Sequence, residues 1–202
     1  MEIKDDALTH SIKTLSDKNP RIRSAAIFGM ISRKYKEAVP YLIKTFQTDT
    51  EKNVRISAIL GAGLLNNRTK LEPKQKKTLT QALNVLLDDK DEEIAIYTAS
   101  ALAMFGVSKG YKLLLVGINR DNKTLRSWSV GGLGCLRQKK SIKILLAVLL
   151  NDKIYHVREM AARALFKIGG NEAMAGLSEA LKKEPDNHVR ETISKALDGT
   201  LR

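Results

Sequence analysis

Few side chains in this sequence could do covalent or metal chemistry. His10, His156 and His188 are the only imidazoles and Cys135 is the only thiol. A helical metal site needs further imidazoles or carboxylates close by. The residues that follow the three histidines are Ser11, Val157 and Val189, so no metal and no cofactor is expected. His156 and His188 nevertheless stand one repeat apart at equivalent places. Cys135 has no His or Asp near it in sequence and is expected to be a small packing residue rather than a nucleophile. Gly131-Gly132-Leu133-Gly134 sits inside a helical pattern, which predicts close packing and not a phosphate loop. No catalytic residue is assigned.

The regular chemistry is ionic. Arg23, Arg55, Arg126, Arg158 and Arg190 form a series in which Ala95 takes the third place, at intervals of 32, 40, 31, 32 and 32 residues. Asp17, Asp49, Asp89 and Asp152 each lie six residues before a member of the series, Asp121 lies five before Arg126, and Glu184 stands in the last unit. A guanidinium and a carboxylate can pair through two parallel hydrogen bonds. The two series are expected to form a polar ladder, each acid either capping the helix that follows it or reaching the arginine of a neighbouring repeat. Ala95, preceded by eight extra residues, is expected to break it.

Such a ladder has to be carried by helix pairs. Around each arginine the pattern predicts a second helix with one apolar residue before the arginine and small residues three and six places after it, as in Ala58/Gly61 and Ala161/Ala164. These positions share one helical face, and small side chains there let neighbouring helices approach. The stretches between carry amphipathic spacing, for example Leu8, Ile12 and Leu15, or Leu79, Leu83, Leu86 and Leu87. Pro40 lies near a predicted helix start, where its missing N–H matters least. A period in the thirties marks stacked repeats. One domain over residues 1–202 is expected, in units of about 4–35, 36–67, 70–106, 108–137, 139–169 and 171–201.

Asp152-Lys153-Ile154-Tyr155-His156-Val157-Arg158-Glu159-Met160-Ala161-Ala162-Arg163-Ala164-Leu165 resembles the HEAT repeat, in the short form found in phycobilisome lyases. The resemblance covers nearly the whole chain. It implies an all-α, right-handed α-solenoid of about six helical hairpins whose second helices line the concave side. Similarity to HEAT-like hydroxylases acting on the hypusine precursor implies adjacent His-Glu iron ligands, which this sequence lacks. Similarity to HEAT-like alkylpurine glycosylases implies aromatic residues and a carboxylate in a basic groove, which Tyr97, Trp128, Glu159 and Arg163 match only loosely. A bilin lyase is a further enzymatic alternative.

Positions two, five and nine after each arginine are expected to face the concave side. They place Phe28, Leu60, Tyr97, Trp128 and Met160 in an apolar ridge that gives way to Arg163, Lys167 and Lys195. Aromatic and apolar side chains in such a row suit the capture of a partner protein, with the three cations selecting an acidic segment. The leading expectation is therefore a non-enzymatic scaffold for protein–protein interaction. Net charge is +13, which also admits nucleic-acid binding through two clusters, Lys70, Lys74, Lys76 and Lys77, then Arg137, Lys139, Lys140 and Lys143. No run of apolar residues is long enough for a membrane span. The polar start and the lone cysteine agree with a cytoplasmic location. Oligomeric state is left open by the sequence.

Overall fold

The computed structural model describes residues 6–201, and among them it contains twelve α-helices and no strand. The helices alternate as first and second members of six hairpins. The first members are α1 (Asp6–Thr14), α3 (Val39–Thr48), α5 (Pro73–Val85), α7 (Tyr111–Gly117), α9 (Ile142–Asn151) and α11 (Asn171–Lys183). The second members are α2 (Pro20–Ser32), α4 (Lys52–Arg68), α6 (Glu92–Met104), α8 (Lys123–Leu136), α10 (Tyr155–Ile168) and α12 (Asn187–Leu197). Contacts divide the chain into two compact units, one ending at Phe105 and the other starting at Gly106. In the first unit α2, α4 and α6 stack on one another. In the second, α8, α10 and α12 do.

The apolar residue before each arginine supplies the core between hairpins. Val54, Ile94, Leu125, Val157 and Val189 are buried. Ile22 holds the same register but is exposed, because no second helix precedes α2 among the described residues. Close helix approach uses a position that the sequence pattern did not mark. The eighth residue after one arginine meets the sixth residue after the next, and the two are matched in size. A Cβ built on Gly61 would lie 3.0 Å from Ile27 Cγ2 and 3.5 Å from Ile31 Cγ1, one on Gly63 would lie 3.1 Å from Ala101 Cα, and one on Gly134 would lie 2.8 Å from Ala164 Cα. A large residue on one helix thus faces glycine on the next, and glycine faces alanine.

The ionic ladder is present and connects successive hairpins. Arg23 donates through Nε and Nη2 to Asp49 (2.8 and 2.7 Å), and Arg126 does the same to Asp152 (2.7 and 3.0 Å). Arg55 Nη2 reaches Asp89 at 2.7 Å, and Arg158 Nη2 reaches Glu184 at 2.7 Å. The remaining guanidinium nitrogen ties down the arginine's own loop: Arg126 Nη1 donates to the carbonyls of Arg120 and Asp121, and Arg158 Nη1 to that of Asp152. The acids do not cap the helices themselves. Asp17, Asp49, Asp89, Asp152 and Glu184 each accept the backbone N–H two residues on, closing a turn before the helix starts. The side-chain caps come later, from Asn19, Asp91, Asn122 and Asp186.

Two expected rungs are missing. Arg190 is exposed and forms no ion pair with a described residue, and the Asp121 side chain is exposed while only its carbonyl joins the ladder. At the third repeat Ala95 supplies no guanidinium, while Lys52 Nζ of the second repeat pairs with Asp91 (2.9 Å) and Glu93 beside the Arg55–Asp89 rung. The extra residues there lengthen α4 to Arg68 and add a short link before Pro73.

Burial pushes the Asp49 and Asp152 carboxyls up, but hydrogen bonds from their arginines and from backbone N–H groups outweigh it and hold both below the ordinary 3.8. A carboxyl lowered in the folded state stabilises the fold above its ordinary value, and this contribution disappears as pH falls through the folded value. The thermal midpoint should therefore drop as pH is lowered from 5 to 2. Asp152→Asn should start from a lower midpoint and lose less over that range, as read by circular dichroism melts. Parallel slopes for the two proteins would refute the ladder's part in acid sensitivity.

Candidate partner-binding site

The second unit carries two adjoining clefts on its second-helix face. Side chains of the N-terminal halves of α8, α10 and α12 make most of their walls. α8 begins where Asn122 Oδ1 accepts the N–H groups of Thr124 and Leu125 (3.0 and 3.3 Å). α10 begins after the turn closed by Asp152, and α12 begins where Asp186 caps His188 and Val189 (2.9 and 3.1 Å). The ladder residues thus set the height at which each helix starts, and with it the position of the side chains in its first turn.

The first cleft, of about 480 Å³, lies between α8 and α10. Trp128, Ile154, Tyr155 and Met160 give it a mainly apolar lining, with Lys123, Thr124, Ser127 and His156 at its polar edge. Gly131 helps to shape it, since a Cβ there would lie 3.2 Å from Met160 Cε. The thioether therefore rests against bare backbone of α8. Tyr155 is 49% exposed, a high value for a tyrosine beside an apolar cleft.

The second cleft, of about 320 Å³, lies between α10 and α12 and is polar. Tyr155 and His156 belong to both clefts. Glu159 Oε1 accepts from Arg163 Nε and Nη2 (both 3.0 Å), and its Oε2 lies 3.4 Å from His156 Nδ1. Lys195 Nζ donates to Glu191 Oε1 at 2.6 Å, and this hydrogen bond holds the Glu191 carboxyl below its ordinary value. The Tyr155 ring lies tilted against His188 with centroids 6.4 Å apart. Positive and negative groups alternate, so this cleft is close to charge-balanced.

The expected ridge is only partly present. Phe28 is 44% exposed, and Trp128 and Met160 line the apolar cleft. Leu60 and Tyr97 do not belong to any outward surface: both are only 5% exposed, and burial pushes the Tyr97 phenol up. Helix α6 is the most thoroughly buried second helix, and α4 packs against α2, α3 and α6, which seals positions that are open elsewhere. Of the three cations assigned to an acidic segment, Arg163 and Lys195 line the polar cleft but are engaged by carboxylates of their own helices. Lys167 is exposed and lines neither cleft.

Sequence reasoning did not single out Tyr155, and it weighed His156 and His188 only as metal ligands. It looked for the site only forward from each arginine, whereas positions two before and two after, such as His156 and Met160, are four apart and share a face, and Tyr155 stands in the same way to Glu159. Tyr97 is buried in the first unit, so the loose glycosylase-like grouping with Trp128 and Glu159 is not found in this cleft. His10 is exposed on α1, and among the described residues no three of His, Cys, Asp and Glu come together as metal ligands. Cys135 is a free, half-buried thiol on α8.

The basic clusters are exposed. Lys70 lies in the link after α4, while Lys74, Lys76 and Lys77 are on the first turns of α5 rather than in an open connection. Arg137 caps the C-terminus of α8, Lys139 and Lys140 form a single 3-10 turn, and Lys143 starts α9. Among the described residues, no helix is long and apolar enough to cross a membrane.

Two solved structures are similar to this chain. The complex of CpcE and CpcF of phycocyanin lyase from Nostoc sp. shares 18% identity at a TM-score of 0.61, over 98% of this chain and 84% of that one. Human deoxyhypusine hydroxylase, solved with glycerol, shares 20% identity at a TM-score of 0.51, over 96% of this chain and 73% of that one. At such identities the likeness concerns the fold alone. No curated protein matches the sequence. The family model for HEAT repeats matches residues 8–102 and 111–198. With its laddered hairpins and this match over most of its length, the chain belongs to the HEAT-repeat family.

Proposed function

We propose that this protein holds a partner protein through the paired clefts of its second unit, without chemistry of its own. The observation that carries this reading is the shared wall. Tyr155 and His156 join an apolar compartment to a charge-balanced one. An apolar side chain of the partner fits between Trp128 and Met160, while neighbouring polar groups exchange hydrogen bonds with Glu159, Arg163 and Lys195. The balance of charge favours a segment of mixed polarity over the purely acidic one that a row of free cations would select. The Lys195–Glu191 pair is exposed and the Glu159–Arg163 pair partly so, and ion pairs in contact with water are weak, so a partner can compete for them. The engagement of Glu159 by Arg163 and His156 supports a binding role over a catalytic one. The CpcE–CpcF structure is itself a complex of two chains, which supports partner holding as a use of the fold.

Trp128 is the only tryptophan and lines the apolar cleft, so its emission reports occupancy. Peptides selected from a displayed library against the whole chain should carry an apolar anchor and shift that emission on binding. Tyr155→Ala should weaken them by about 2 kcal/mol, roughly thirtyfold, as for an aromatic hot spot, while leaving the melting temperature unchanged. Selected peptides that bind without moving the emission, and equally well to Tyr155→Ala, would refute the cleft as the docking site.

A further inference from the structure

The excess positive charge is concentrated. Between Gly106 and Asn151 nine side chains are basic and one, Asp121, is acidic. Six of the nine, Lys109, Lys112, Arg137, Lys139, Lys140 and Lys143, form no ion pair with a described residue, and none lines either cleft. They come from two successive hairpins, and specific contacts bring these together. Tyr111 at the start of α7 shares a 3.1 Å hydrogen bond between its hydroxyl and Ser141 Oγ, and Lys140 Nζ lies 3.8 Å from the centroid of the same ring. Lys109 and Lys112 flank Tyr111 in sequence, while the other four surround Ser141. The result is one basic strip fastened at its middle.

One further feature separates this strip from ordinary lysine-rich surface. The strip has no apolar centre. The exposed large apolar side chains of this unit are Val116, Leu150 and Tyr155, and none lies within 137–143. A protein interface or an inserting membrane surface would need such an anchor. Unpaired lysine charges without one suit a ligand that is a line of phosphates.

We propose that this strip binds the phosphate backbone of nucleic acid, independently of base sequence, on a surface separate from the protein-binding clefts. Lysine ammonium groups act there as point charges, displacing condensed counterions and reading no base edges.

The test is fluorescence anisotropy of the whole chain with a labelled random-sequence 20-mer, single-stranded and duplex, between 50 and 200 mM salt. Binding is expected at 50 mM, with dissociation constants on the order of micromolar, and should fall steeply with salt. Lys139→Gln/Lys140→Gln/Lys143→Gln should weaken binding at least tenfold and reduce the duplex salt slope by about 2 to 3. Lys109→Gln/Lys112→Gln, on the other hairpin, should weaken it as well. Lys74→Gln/Lys76→Gln/Lys77→Gln removes the same charge from the first unit and should change affinity by less than threefold. Absence of binding at 50 mM would overturn the proposal. So would equal losses from the two triple variants, or tighter binding to phosphatidylserine vesicles than to either 20-mer at the same salt.

Discussion

Asp152→Ala should destabilise the protein by about 2–4 kcal/mol, because it strips a nearly buried guanidinium of its counter-charge. For a chain of this length that corresponds to a fall in melting temperature of roughly 4–16 °C. Asp152 is a junction. Its carboxylate takes Nε and Nη2 of Arg126 and the N–H of Ile154, and its carbonyl takes Nη1 of Arg158. Side-chain exposure is only 8% for Arg126 and 9% for Asp152, so water cannot fully replace the lost partner. Arg126 would still be tied by Nη1 to the carbonyls of Arg120 and Asp121 and so could not swing out to solvent without breaking those bonds. Arg126→Met combined with Asp152→Ala should cost less than the two single changes together, since neither charge is then left alone. The exposed pair Lys195–Glu191 is the contrast: Glu191→Ala should hardly move the midpoint, as surface pairs rarely do. Urea and thermal unfolding would measure all four variants. If Asp152→Ala proved as mild as Glu191→Ala, the ladder would be an ornament of the fold and not one of its supports.

The ladder was the part of this fold most legible in the sequence. A residue type repeated at a fixed interval leaves a mark that no tertiary detail can hide, and the second helices follow that mark around every member of the series, Ala95 included. What the interval could not reveal was direction. Asp49, Asp89 and Asp152 could each serve their own helix or the repeat before. The answer depends on the rise between hairpins, which spacing alone does not contain. The outward face was less legible for a related reason. Tyr97, Trp128 and Met160 hold the same place in their repeats, yet the first is sealed and the other two line a cleft. Exposure depends on how far adjacent second helices stand apart, and that depends on glycine–alanine contacts at other positions. Tyr155 was overlooked because it precedes its arginine, although its helical phase puts it beside Met160's cleft.

Those contacts make Gly134 the second sensitive point. A Cβ added there would lie 2.7 Å from Ala164 Cβ and 2.8 Å from its Cα, and backbone cannot move aside as a flexible side chain can. Gly134→Ala should therefore destabilise by about 1–2 kcal/mol despite alanine's better helix propensity, and Gly134→Val by about 3 kcal/mol. The change should also reach the candidate site. Trp128 sits on α8 and Met160 on α10, so parting these helices alters the cleft between them, and the emission of Trp128 should shift. Gly29 supplies the opposite sign. It too lies inside a helix, but the nearest atom to an added Cβ is Arg33 Nη1 at 3.7 Å, an ordinary contact with a flexible side chain. Gly29→Ala should raise stability by about 0.5–1 kcal/mol through helix propensity alone. The size matching seen between Ile31 and Gly61 adds a stricter condition: Ala164→Gly, introduced together with Gly134→Ala, should recover part of the loss by exchanging the small partner across the interface. Thermal melts with tryptophan emission would follow the series. A stabilising Gly134→Ala would mean that α8 and α10 are held apart by something other than this contact, and the origin of the cleft's width would have to be sought elsewhere.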